Sequence, residues 1–151
     1  MSQDETKTVT MLQELIETSE DGKKGFQEAA QRADDVKLKQ LFQDRAESCA
    51  EAANELQNMV MSMGGKTNSS GSALGAAHRG WVWARSAVGD SNVAVLEEVE
   101  RGEDYAKGVY GRALKASLPE KVKTVVERQY QGVLSNHDRI RQLRNQYRAQ
   151  G

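Results

Sequence analysis

The sequence predicts an all-α protein, a four-helix bundle built as a single domain over residues 1–151. Three observations carry that expectation. Proline occurs once and aromatic residues make up only 5% of the chain, which is rich instead in Ala, Glu, Gln, Lys and Arg. Apart from the charge they carry, those are the residues that lose least on entering a helix. Apolar residues recur at every third or fourth position in four separate stretches, and no alternating run of strand length interrupts them.

The first stripe reads Leu12, Leu15, Ser19, Gly22, Phe26, Ala29 and Ala33. Ser2-x-x-Glu5 offers a capping box ahead of it, placing the first helix at about 4–33. Asp34 and Asp35 break the pattern and supply an N-cap for the second helix. Its stripe runs Leu38, Leu41/Phe42, Arg45, Cys49, Ala52/Ala53, Leu56, Val60 and Met63, and Gly64-Gly65 ends it. With almost no chain between them, the two helices are expected to form an antiparallel hairpin.

A connection of about 64–91 follows, loop-like at first and then carrying a short helical segment with His78, Arg79, Gly80, Trp81, Val82 and Trp83. The third helix, about 92–116, presents Val93, Leu96, Glu100, Glu103, Lys107, Tyr110 and Leu114 on one stripe. Ser117-Leu118-Pro119-Glu120 reads as a capping box with proline near the first turn. The fourth helix, about 118–148, carries Val122, Val126, Gln129, Val133, Asn136/His137, Ile140, Leu143 and Tyr147.

The long connection sets the topology. It is too long for a hairpin turn and unusual as plain loop, but it suffices to travel back along the bundle. Helices two and three then run parallel, joined by a crossover, as in ferritin-like bundles.

Several stripe positions do not suit an apolar core: Arg45, Glu100, Glu103, Gln129, Asn136 and His137. With the crossover in place Arg45, Glu100, Glu103 and Asn136/His137 fall at one level, together with Asp21 of the first helix, about 8 to 12 residues from the end where helix one turns into helix two. Two readings follow. In the favoured one the level is a buried ion-pair layer, with Arg45 answering Glu100 or Glu103 and His137 adding a donor. Replacing Arg45 by Met is then expected to cost about 3–5 kcal/mol. In the other, Glu100, Glu103 and His137 hold one metal ion, and Fe, Mn and Zn are the cations these donors suit. A full di-iron set is not encoded, because Leu134 stands where a Glu-x-x-His motif ending at His137 needs its glutamate.

Lys and Arg number 21 against 22 Asp and Glu, which argues against nucleic acid or an anionic membrane surface as partner. No apolar run reaches the length of a membrane span. A single cysteine and the absence of a secretory signal point to a cytoplasmic protein. Cys49 reads as a small buried hydrophobe rather than a redox thiol. Glycines inside the helices (Gly22, Gly25, Gly102, Gly108, Gly111 and Gly132) are expected where helices or another subunit approach closely. His78, Arg79 and Trp81 form a candidate interaction patch on the connection. Trp81 and Trp83 face different ways on a helix, so one is left for a second copy, and a homo-oligomer, a dimer, is expected.

Six blocks resemble a known bacterial family. They are Leu15-Ile16 with Asp21-Gly22, Gly25-Phe26-Gln27-Glu28-Ala29-Ala30, Arg45 with Glu55-Leu56-Gln57, His78-Arg79-Gly80-Trp81, Glu100-Arg101-Gly102-Glu103-Asp104 with Tyr110, and His137-Asp138-Arg139-Ile140. The family is the ferritin-like domain of unknown function 2383. The resemblance implies a ferritin-like bundle in a cytoplasmic protein associated with stress conditions, without an established reaction. The expectation for function is a structural or interaction role around a degenerate metal site. The alternative is a metal-dependent oxidase or peroxide-handling protein using Glu100, Glu103 and His137.

Overall fold

The computed structural model describes residues 2–66 and 92–150. Among them are four helices: α1 (Gln3–Arg32), α2 (Val36–Ser62), α3 (Asn92–Lys115) and α4 (Glu120–Gln150). Each end is set by local chemistry. At the start of α1 the Glu5 N–H donates to Ser2 Oγ (3.1 Å), and the Ser2 N–H donates to Glu5 Oε1 (3.0 Å). Two otherwise orphaned donors are thereby satisfied, as the sequence led one to expect. Asp35 caps α2 by accepting the Lys37 N–H at 2.8 Å. Beyond Ser62 the chain turns at Gly64, whose φ of +83° is a left-handed conformation that glycine adopts without a Cβ penalty.

One end differs from the sequence reading. α4 begins at Glu120, and the Pro119 carbonyl accepts its first bond from the Lys123 N–H (2.8 Å). Starting the helix directly after Pro119 leaves Ser117 too far back to cap it.

The topology is read from contacts at one end of the bundle. Asn92 Oδ1, at the start of α3, accepts the Asp34 N–H (3.0 Å) from the turn joining α1 to α2. At that same end the Tyr147 hydroxyl of α4 donates to Asp35. α2 and α3 therefore start at the same end and run parallel, so Ser62 and Asn92 lie at opposite ends of the bundle. The short helix expected in that connection, with His78, Arg79 and Trp81, lies outside the described residues.

Two apolar clusters fill the interior. Phe26, Phe42, Leu38, Val95, Leu96, Val99 and Ile140 pack near the α1–α2 turn. Leu12, Leu15, Ile16, Leu56, Val60, Val109, Val122 and Val126 pack toward the other end. Between them each helix contributes polar or small buried residues: Ser19, Asp21 and Gly22 of α1, Ala53 of α2, Gly102 and Glu103 of α3, and Gln129, Asn136 and His137 of α4. The bundle thus holds a polar waist between two oily ends. α1 packs closely on α2 and on α3, and α3 on α4, whereas the backbones of α2 and α4 lie further apart.

Candidate functional site

Glu103 is the charged group at the centre of the waist, only 3% exposed. The Asn136 side-chain amide donates to its Oε1 across the α3–α4 interface. Burial pushes the Glu103 carboxyl up to about 7, against the pull of the nearby Arg45 cation and the Asn136 hydrogen bond. A neighbouring charge from Asp104 adds to the rise. Desolvation wins here because Asn136 offers a dipole and no charge.

Arg45 does not make the close ion pair expected of it. Its field reaches Glu103, yet among the described residues no carboxylate lies within 4 Å of its guanidinium. Its Cζ lies 5.9 Å from the centroid of the Phe26 ring, and its Nε is buried without a hydrogen-bond partner. Glu100 is answered instead from α4, by Arg144 and, at 3.7 Å, by Arg141 Nε.

His137 is buried, and its Nε2–H donates to Asp104 Oδ1 at 2.5 Å. Asp104 is itself 61% exposed, so His137 reaches outward along the α3–α4 seam rather than toward Glu103. The side chains expected to share a cation are thus directed at three different sets of partners. Among the described residues no group of three or more His, Cys, Asp or Glu side chains is arranged to hold a metal ion.

Gln129 organises a second set of bonds at the waist. Its Oε1 accepts from the Tyr110 hydroxyl (2.7 Å), and its Nε2 donates to Glu55 Oε1 (2.9 Å) and to the Ala52 carbonyl (3.4 Å). Glu55 also takes the Arg128 guanidinium, which holds its carboxyl below the ordinary range. Tyr110 and Ser19 place their hydroxyls 3.4 Å apart. Asp21, at the same level of α1, is buried as well. Burial drives the Cys49 thiol up to about 12, which keeps it protonated at neutral pH.

Tyr110 sat on the sequence stripe as an apolar residue, and its hydroxyl gave no sign of its role. Arg141 and Arg144 fall outside the apolar stripe, although they lie four and seven positions after His137 on one face of α4. That spacing was the available signal.

Four long helices, a parallel α2–α3 pair and a polar waist define a ferritin-like four-helix bundle. A Dps1 mutant from Mycobacterium smegmatis has the same fold, with a TM-score of 0.78 at 12% identity over 93% of this chain and 97% of that chain. A two-domain protein from Anabaena variabilis, containing DJ-1/ThiJ/PfpI-like and ferritin-like domains, matches 97% of this chain and 37% of that one (TM-score 0.74, 14% identity). The chain belongs to the family described as Domain of unknown function (DUF2383), whose model matches residues 7–116. A comparison with curated proteins gave no match. The matched span stops before α4, so Gln129, Asn136 and His137 lie outside it.

Proposed function

We propose that this chain is a ferritin-like bundle with a structural or interaction role under stress conditions. In this reading a polar layer stands where related architectures place metal ligands. The observation that carries it is the surroundings of Glu103: a neutral amide from Asn136, the field of Arg45, and partners that draw Glu100 and His137 elsewhere. An arginine beside a buried carboxylate already supplies the positive charge that a cation would bring. Assembly as a homodimer is part of the proposal. The apolar side chains most exposed among the described residues, Val36 (77%) and Met61 (56%), are candidates for cover by a second copy.

Elemental analysis of protein purified without chelator, with thermal unfolding in added Fe(II), Mn(II) or Zn(II), tests the first part. The expected result is no stoichiometric metal and an unchanged midpoint. One bound equivalent, lost in Glu103→Gln, would overturn it and favour a metal-dependent oxidase or peroxide-handling protein built on Glu100, Glu103 and His137. Light scattering tests the second part, where a strict monomer at high concentration would count against the dimer.

A further inference from the structure

The seam between α2 and α4, the loosest in the bundle, contains a cleft of about 290 Å³ bordered by Arg45, Ser48, Cys49, Tyr110, Gln129 and Gly132. Most polar groups on its walls are already occupied within the protein. Ser48 Oγ donates to the Asp44 carbonyl (3.1 Å), the Tyr110 hydroxyl donates to Gln129, and the Gln129 amide donates to Ala52 and Glu55. Arg128, at the rim, is held by Glu55.

Arg45 is the exception. Its Nε is shut away from water without a hydrogen-bond partner, and among the described residues its guanidinium makes no hydrogen bond or ion pair. Glu103 acts on it through the field, but the hydrogen bond to Glu103 comes from Asn136. A guanidinium carries five donors in a planar fork that fits a carboxylate edge-on. The Phe26 ring near Arg45 contributes attraction to the cation but accepts no such fork.

We propose that this cleft binds a small aliphatic monocarboxylate, whose oxygens meet the Arg45 guanidinium and whose tail lies along Cys49, Ala52 and Val133. Three features favour that class. The donor left open belongs to a single cation, which matches a single negative charge. Glu51 and Glu55 border the same cleft and disfavour a polyanion such as phosphate. The rest of the wall sets apolar Ala52 and Val133 and the Cys49 thiol, protonated at neutral pH, beside polar groups already bonded within the protein, and the volume lies at the small end of ligand pockets. The inference goes beyond the structural role proposed above and requires neither a metal nor a second copy.

Sodium hexanoate is a suitable probe, with hexanol and inorganic phosphate as controls at matched ionic strength, read by calorimetry and by the thermal midpoint. Gly132→Leu is the informative variant, because a Cβ at Gly132 meets no atom within 4 Å. The added side chain should fold normally and crowd the mouth of the cleft. Hexanoate is expected to bind saturably to the native protein and raise its midpoint. Affinity should fall at least about tenfold in Gly132→Leu and be lost in Arg45→Gln. The proposal is overturned if hexanoate gives no saturable signal, if Gly132→Leu binds it equally well, or if hexanol or phosphate binds as tightly.

Discussion

Asn136 on α4 donates a hydrogen bond to Glu103 on α3, in the middle of the bundle and out of reach of water. The pairing satisfies one carboxylate oxygen without neutralising the charge. Whatever stabilisation the ionised form receives beyond that comes from Arg45 at longer range. A carboxyl so placed meets an unfavourable environment by taking up a proton near neutral pH rather than by disrupting the fold. Three of the four expected outcomes below follow from the bonding of this waist, and one from its packing.

Arg45→Met removes the cation while keeping apolar bulk beside Phe26. Glu103 should then hold its proton to higher pH, because the charge that opposed desolvation is gone. The loss is expected to be small near pH 5 and about 1–2 kcal/mol near pH 8.5, measured by denaturant unfolding. This is less than the 3–5 kcal/mol expected for breaking a buried close pair. A loss of that larger size at both pH values would mean that Arg45 and Glu103 form a direct ion pair.

Tyr110→Phe deletes the hydroxyl that donates to Gln129 Oε1 at 2.7 Å and keeps the ring in the apolar cluster. A buried acceptor loses its partner, with an expected cost of about 1–2 kcal/mol. The Tyr110 hydroxyl is pushed up to about 12 by burial, so this cost should not change between about pH 5 and pH 8. A strongly pH-dependent loss would show that the hydroxyl bears on the Glu103 equilibrium.

Gly22→Ala tests the packing of α1 on α2. A Cβ at Gly22 would sit 3.0 Å from the Cys49 sulfur, tighter than ordinary contact, while the Cys49 Cβ is 3.9 Å away. In wild-type background the gain in helix propensity, about 1 kcal/mol, should be cancelled or reversed. In a Cys49→Ala background the same substitution should stabilise by about 0.5–1 kcal/mol. Equal effects in both backgrounds would remove the sulfur as the reason for glycine there.

How much the sequence disclosed depended on whether height or rotation was at issue. Rise per residue is nearly constant, so Arg45, Glu103 and the Asn136/His137 position could be assigned to one level once the crossover was inferred from the length of the connection. The caps at Ser2 and Asp35 were legible for the same reason, being local in the chain. Rotation was harder. Glu100 and Glu103 differ by about 60° around α3, enough to send one toward Arg144 and the other inward, and the stripe placed both on one face. The stripe gives Asn136 and His137 one shared position, yet the first bonds Glu103 and the second bonds Asp104. The close-approach expectation for helical glycines held at Gly22, whereas a side chain at Gly132 would enter open space.

The central claim is that Glu103 is held by the protein's own groups in a poorly solvated waist, and unfolding free energies of wild type and Glu103→Gln across pH test it most directly. The carboxyl rises from 4.5 to about 7 on folding, so the folded state binds more protons than the unfolded chain between those values. Glu103 therefore costs nothing below the unfolded value and becomes progressively unfavourable as pH rises, until it is ionised in the folded protein as well. Relative to wild type, the Gln variant should gain on the order of 3 kcal/mol between about pH 4.5 and pH 7.5 and change little beyond. A difference that stays flat over this range, or moves in favour of wild type as pH rises, would contradict the claim. The second outcome is what a carboxylate clamped by a close cation would give.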